Sequence, residues 1–159
     1  MTLLRSAAVA FFLAACAGGP DVEALQAGVD AAIAAKDYPG AVAKADEALK
    51  IEKILADPAK AWRFESGRVN ALAAGGKGAD VLSSLERLAT PYSAQVTASL
   101  YLSLADKLRA AGDGAGYTNL LDAGKKKFPD EVAFQSKLDE LKTSADPAEV
   151  ERLKALGYL

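Results

Sequence analysis

From Asp21 onward, apolar residues recur three and four positions apart, interrupted at intervals by Gly, Asp and Pro. This is the period of one face of an α-helix and not the alternation of a half-buried strand. The first run, Asp21 to Lys36, places Val22, Leu25, Val29 and Ile33 on one face, with Asp21 in the N-cap position. Lys36-Asp37-Tyr38-Pro39 breaks it. A second helix is predicted from about Pro39 to Ala56, and a third from Asp57-Pro58 to Gly75-Gly76. A fourth covers about Ala79 to Ala89, closed by Pro91, and a fifth about Ser93 to Ala111, ending at Gly112-Asp113-Gly114. A sixth runs from about Ala115 to Phe128. Pro129-Asp130 starts a seventh that reaches about Thr143, and Asp146-Pro147 opens a short last one that stops at Gly157.

The pattern predicts an all-α fold. Alanine supplies about a fifth of the chain and is the best helix former, because it loses no side-chain entropy in a helix. The breaks at Ala34-Ala35, Ala73-Ala74 and Ala110-Ala111 recur at a spacing of roughly forty residues, the length of a two-helix unit in an α-solenoid.

The twenty residues before Asp21 have a different character. Arg5 and the terminal amine precede an apolar run from Ala7 to Ala15, and the first acid is Asp21. This is the layout of a secretory signal peptide, too short for a comfortable membrane span of about 20 apolar residues. The run ends in Leu13-Ala14-Ala15-Cys16, which holds the only cysteine. That tetrapeptide resembles the bacterial lipobox. The resemblance implies lipid attachment at Cys16, cleavage before it, and acylation of the new amine. Several buried acyl chains anchor a protein durably. Residues 1–15 are then a lipoprotein signal peptide, 16–20 the lipidated Cys and a tether, 21–144 the helical domain, and 145–159 a short C-terminal helix. Ala17 after the Cys is similar to the Gram-negative pattern for outer-membrane sorting, with the domain facing the periplasm.

Within the body, Tyr101, Leu104, Ala105 and Leu108, then Gly112-Asp113, then Leu121 and Gly124, with Pro129 closing the unit, resemble the tetratricopeptide repeat. Asp37-Tyr38, Ala41, Ala45, Ala48-Leu49 and Ile51 match its second helix in an earlier copy. Phe64, Ala71, Gly75 and Leu88 form a weaker middle copy, in which Asp80, Ser84 and Arg87 depart from small or apolar residues. The extra residues before Pro58 are read as a lengthened second helix in the first copy. The resemblance implies a right-handed α-solenoid of about three helix pairs with C-terminal capping helices, and close helix approach at Ala41, Ala45, Ala105 and Gly124.

Candidate chemistry is sparse. The absence of histidine excludes Ser-His-Asp and Cys-His machinery and His-containing metal sites, and one cysteine excludes an internal disulfide or zinc cluster. A net charge of −2 argues against nucleic acid. Gly75-Gly76-Lys77-Gly78 lacks the spacing and the hydroxyl of a phosphate loop, and Asp113-Gly114-Ala115-Gly116 lacks the alternating carboxylates of a calcium loop; both read as turns. The acid pairs Asp21/Glu23, Asp46/Glu47 and Asp139/Glu140 fall on helix starts or wet faces, where a general acid is not tuned. Lys125-Lys126-Lys127 complements a helix C-terminus. No cofactor, metal or enzymatic activity is expected.

The repeat register places Gln26 and Asp30, then Trp62 and Glu65, then Leu102, Asp106 and Arg109 on the groove-facing side of the first helices, as a surface for an envelope protein. The alternative for Trp62 is burial between repeats, and for Asp106 and Arg109 a solvated i,i+3 pair; in either case removing Arg109 should barely affect folding. The functional expectation is a lipid-anchored interaction scaffold or assembly factor in the bacterial envelope. The alternatives are a small-ligand or lipid carrier built on a helical bundle, and an enzyme with a carboxylate-only site.

Overall fold

The computed structural model describes residues 21–144 and 146–159. Among the described residues there are nine α-helices and no strand: α1 (Val22–Ala34), α2 (Tyr38–Ala48), α3 (Glu52–Leu55), α4 (Pro58–Ala74), α5 (Gly78–Leu88), α6 (Ala98–Ala110), α7 (Gly114–Lys127), α8 (Val132–Leu141) and α9 (Pro147–Ala155). The segments expected to be a signal peptide and a tether, with Cys16, lie outside the described residues.

Local chemistry explains most helix starts. Asp21, Asp37, Asp57, Asp113 and Asp146 each accept backbone N–H groups of the first turn, satisfying donors that no preceding carbonyl can reach. The ends of α1, α4, α6 and α9 share one device. Lys36, Gly76, Gly112 and Gly157 have positive φ between 59° and 82°. The next N–H then reaches back to a carbonyl in the last turn: Asp37 to Ala32, Lys77 to Leu72, Asp113 to Leu108 and Tyr158 to Leu153. Lys36 adopts a conformation that its Cβ makes less comfortable than glycine would.

Three expected boundaries are corrected. The helix predicted from Pro39 to Ala56 is two helices, because α2 stops at Ala48 and Ile51 is extended before α3. An unbroken helix at about 100° per residue would turn Ile54 to the side opposite Ala45; the break turns Ile54 inward, fully buried beside Phe64 and Ala48. The helix predicted from Ser93 begins at Ala98. Residues 92–96 form a turn that seats Tyr92 against Trp62 and buries Val96, and Thr97 caps α6 by accepting Leu100 N–H. The seventh helix starts and stops inside its predicted limits, capped by Glu131 and not Asp130.

The helices pack both on chain neighbours and on helices further along the chain. The main contacts are α1 on α2, α2 on α4, α4 on α5 and α6, α6 on α7, and α7 on α8 and α9. Two apolar clusters result. One joins α1, α2, α3 and α4 around Val29, Ala45, Ile54 and Phe64; the other runs from α4 to α9 around Leu85, Leu104, Tyr117, Leu121 and Leu138. Half-buried Val42 packs against both. Ala41, Ala45 and Ala105 are fully buried, and a Cβ added at Gly124 would overlap the Phe134 ring. Small residues thus stand where helices meet, as expected. α9 closes the second cluster with Leu153.

Candidate functional site

The seven residues expected on the groove side are placed as follows. On α1, Gln26 donates from Nε2 to Asp30 Oδ1 at 3.0 Å, its Oε1 buried without a protein partner. Trp62 is half-buried and packs its ring on Tyr92, centroids 5.2 Å apart and planes tilted by 41°. Glu65 is 7% exposed and accepts both terminal nitrogens of Arg87 on α5, at 2.6 and 2.7 Å. Donating these hydrogen bonds to Glu65 holds the Arg87 guanidinium pKa above its ordinary value, against the opposing effect of partial burial. Leu102 leans on the larger apolar cluster.

Asp106 and Arg109 do not pair with each other, which corrects the i,i+3 alternative. Asp106 accepts Lys137 Nζ of α8 at 2.8 Å. Arg109 holds Glu149 of α9, Nε to Oε1 at 2.9 Å, and lies 4.9 Å above the centre of the Tyr117 ring. Hydrogen bonding to Asp106 keeps the Lys137 ammonium above its usual pKa. Burial raises the Tyr117 phenol, whose buried hydroxyl has no protein partner. The two residues therefore lead to two different helices. Arg109 belongs to the joint between α6 and α9, a contact across 40 positions that the sequence pattern does not show.

The other candidate motifs resolve into structure. Gly75–Gly78 is the α4–α5 turn, with Lys77 as the N-cap of α5. Asp113 caps α7 by accepting Gly116 N–H at 2.8 Å. Among the described residues no group of three or more His, Cys, Asp or Glu is arranged to hold a metal ion. Of the acid pairs, Asp21 caps α1, Glu23 pairs with Arg63, Asp46 with Arg68 and Asp139 with Lys142. Lys126 pairs with Asp122, while Lys125 and Lys127 sit over the rings of Tyr158 and Phe128.

Sequence reasoning missed a cleft of about 370 Å³ between α2 and α5. It opens to solvent, and its floor is Val42, Ala71 and Leu72. A signal for it lies in the turn sequences: Asp113-Gly114 and Asp37-Tyr38 follow equivalent helix ends, yet one presents a glycine to its neighbour and the other an aromatic ring.

Among the described residues no helix is long and apolar enough to cross a membrane. No family model, curated protein or solved structure matches the chain.

Proposed function

We propose that the chain is a lipid-anchored interaction scaffold or assembly factor of the bacterial envelope, built as a right-handed solenoid of TPR-like helix pairs. The observation that carries the reading is the turn repeated at Lys36, Gly76 and Gly112, each ending the first helix of a pair whose apolar face is covered by its neighbours. Helix pairs that bury their faces only against one another form an extended surface, and such surfaces bind other proteins. Leu13-Ala14-Ala15-Cys16 adds the anchor: acylation at Cys16 places the domain at a membrane, with the outer membrane and the periplasmic side favoured by Ala17. The open cleft, with solvent on one side, suits a scaffold better than a carrier that must enclose its cargo.

Two measurements test this. Metabolic labelling with a fatty-acid analogue should mark the wild type and spare Cys16→Ser. Photo-crosslinking from exposed positions of the first helices, in envelope preparations, should yield a discrete protein adduct. Equal labelling of both chains removes the anchor from the reading, and crosslinking only to lipid or small molecules removes the scaffold.

A further inference from the structure

Contacts between helix ends sort them onto two edges of the fold. On the first edge Asp113, capping α7, accepts Gly78 N–H of α5 at 2.9 Å, and a Cβ at Gly114 would meet Asp146, which caps α9. The end of α4 joins them: Gly76 approaches Ala111 past α6, and Gly75 approaches Tyr38 at the start of α2. The opposite ends of these helices meet on the second edge. There Glu23 at the start of α1 pairs with Arg63 near the start of α4, and Trp62 packs on Tyr92 beyond the end of α5. Tyr101 near the start of α6 meets Phe128 just past α7, and Phe128 stacks on Phe134 near the start of α8. Lys125, near the end of α7, lies over the ring of Tyr158 past α9.

The large hydrophobic side chains that stand exposed among the described residues all lie on this second edge. Leu55, in the link before α4, is 55% exposed, Val132 at the start of α8 is 78% exposed, and Leu159 follows Tyr158. The α5–α6 turn on the same edge belongs to a stretch from Leu88 to Ala105 that holds no charged residue. Elsewhere the edge mixes signs, with Lys50, Lys53 and Lys127 against Glu52, Asp130 and Glu131. Asp21, which caps α1, is on this edge too, and Cys16 stands five residues before it. Five residues span at most roughly 18 Å at full extension. The 13 residues of α1 are about 20 Å long. A domain resting on its first edge would lift Asp21 by that length or more, past the reach of an anchor at Cys16.

We propose that the second edge is a membrane-docking surface, which lies against the lipid bilayer with Leu55 and Val132 entering the boundary between headgroups and acyl chains. The mixed charges of the edge favour no headgroup, so the contact is apolar and depends little on salt or on anionic lipid. A short tether holds the edge at an effective concentration on the order of millimolar. A contact too weak to recruit a free domain therefore suffices to orient an anchored one, and the first edge is turned to the aqueous side. This rests on the anchor at Cys16 proposed above and adds to it the face that meets the membrane.

The test uses the full chain, purified from envelopes and added to phosphatidylcholine vesicles that contain a lipid spin-labelled at the headgroup boundary. Intact mass reads the acyl groups on Cys16 in the same sample. A fluorescent probe is attached through Gln95→Cys on the second edge or Ala79→Cys on the first, both exposed positions. Quenching by the labelled lipid should be several-fold stronger from Gln95→Cys than from Ala79→Cys, and should persist at high salt. Adding Leu55→Asp and Val132→Asp, which replace exposed side chains and should leave the melting temperature unchanged, should remove most of that difference. Equal quenching at the two positions, a difference that the aspartates leave intact, or one that high salt abolishes would overturn the proposal while the anchor stands. So would a Gln95→Cys probe shielded from a soluble quencher but not quenched by lipid, which gives the edge to another protein or a second copy. A chain without acyl groups on Cys16 removes the anchor and the docking surface together.

Discussion

Arg109 on α6 and Glu149 on α9 form a joint in which one partner is half exposed and the other 1% exposed. The carboxylate of Glu149 also accepts the Ser144 hydroxyl, so the segment leading into α9 is tied to the same group. Removing Arg109 leaves a buried carboxylate short of its cation. Arg109→Ala should therefore destabilise the domain by about 1–3 kcal/mol, the cost of an unsatisfied buried polar group, read as a lower urea midpoint. A midpoint unchanged from wild type would mean that the joint contributes nothing.

Packing at small residues supplies a second expectation. Ala105 is fully buried and Gly124 faces the Phe134 ring without room for a methyl group. Ala105→Leu and Gly124→Ala should each cost about 1–3 kcal/mol through overpacking, enough to lower the melting temperature by several degrees. For Gly124→Ala the better helix propensity of alanine offsets up to about 1 kcal/mol, so Ala105→Leu should show the larger drop.

Asp113 serves two helix starts, accepting Gly116 N–H of α7 and Gly78 N–H of α5, and its loss should register at both. Asp113→Ala should cost about 1–2 kcal/mol as a lost N-cap, and amide exchange should accelerate at Gly116 and Gly78 together. Exchange that changes at Gly116 alone would show that the bridge to α5 is idle.

Tyr158 gives a pH dependence. Burial, with hydrogen bonding to Asp122 second, pushes its phenol up to about 12. An ordinary tyrosine, as in the unfolded chain, ionises near 10. A group whose folded pKa is raised contributes stability that is complete below the unfolded value and disappears as pH rises through the folded one. The C-terminal docking should thus weaken between about pH 10 and 12, seen as increased protease sensitivity of the tail. Tyr158→Phe should lack that part of the alkaline transition, and an identical alkaline profile in both proteins would refute the assignment.

The legible part of the fold is the part written within a few residues. Asp57 accepts Ala59 and Lys60 N–H, and Gly112 turns the chain so that Asp113 N–H reaches Leu108; both could be read from Asp-Pro and Ala-Gly-Asp because the partners lie inside one turn. Ile54 is the opposite case. A helix unbroken to Ala56 would carry it to the side opposite Ala45, and burial beside Phe64, in another helix, outweighs one continuous hydrogen-bond ladder. The candidate site shows the same division. The repeat pattern marks Glu65, Asp106 and Arg109 but not their pairing with Arg87, Lys137 and Glu149, which lie 22, 31 and 40 positions away.

The sequence by itself determined the all-helical class, the capped helix starts, the glycine turns and the small residues at helix crossings, since each depends on backbone hydrogen bonds or side-chain volume near its own position. Only the tertiary structure decided that Glu65 and Arg109 serve neighbouring helices and that α2 stands off from α5. Those outcomes depend on how closely two helices approach across the fold, through contacts such as Tyr38 on Gly75 and Gly78 on Asp113, which no local pattern connects.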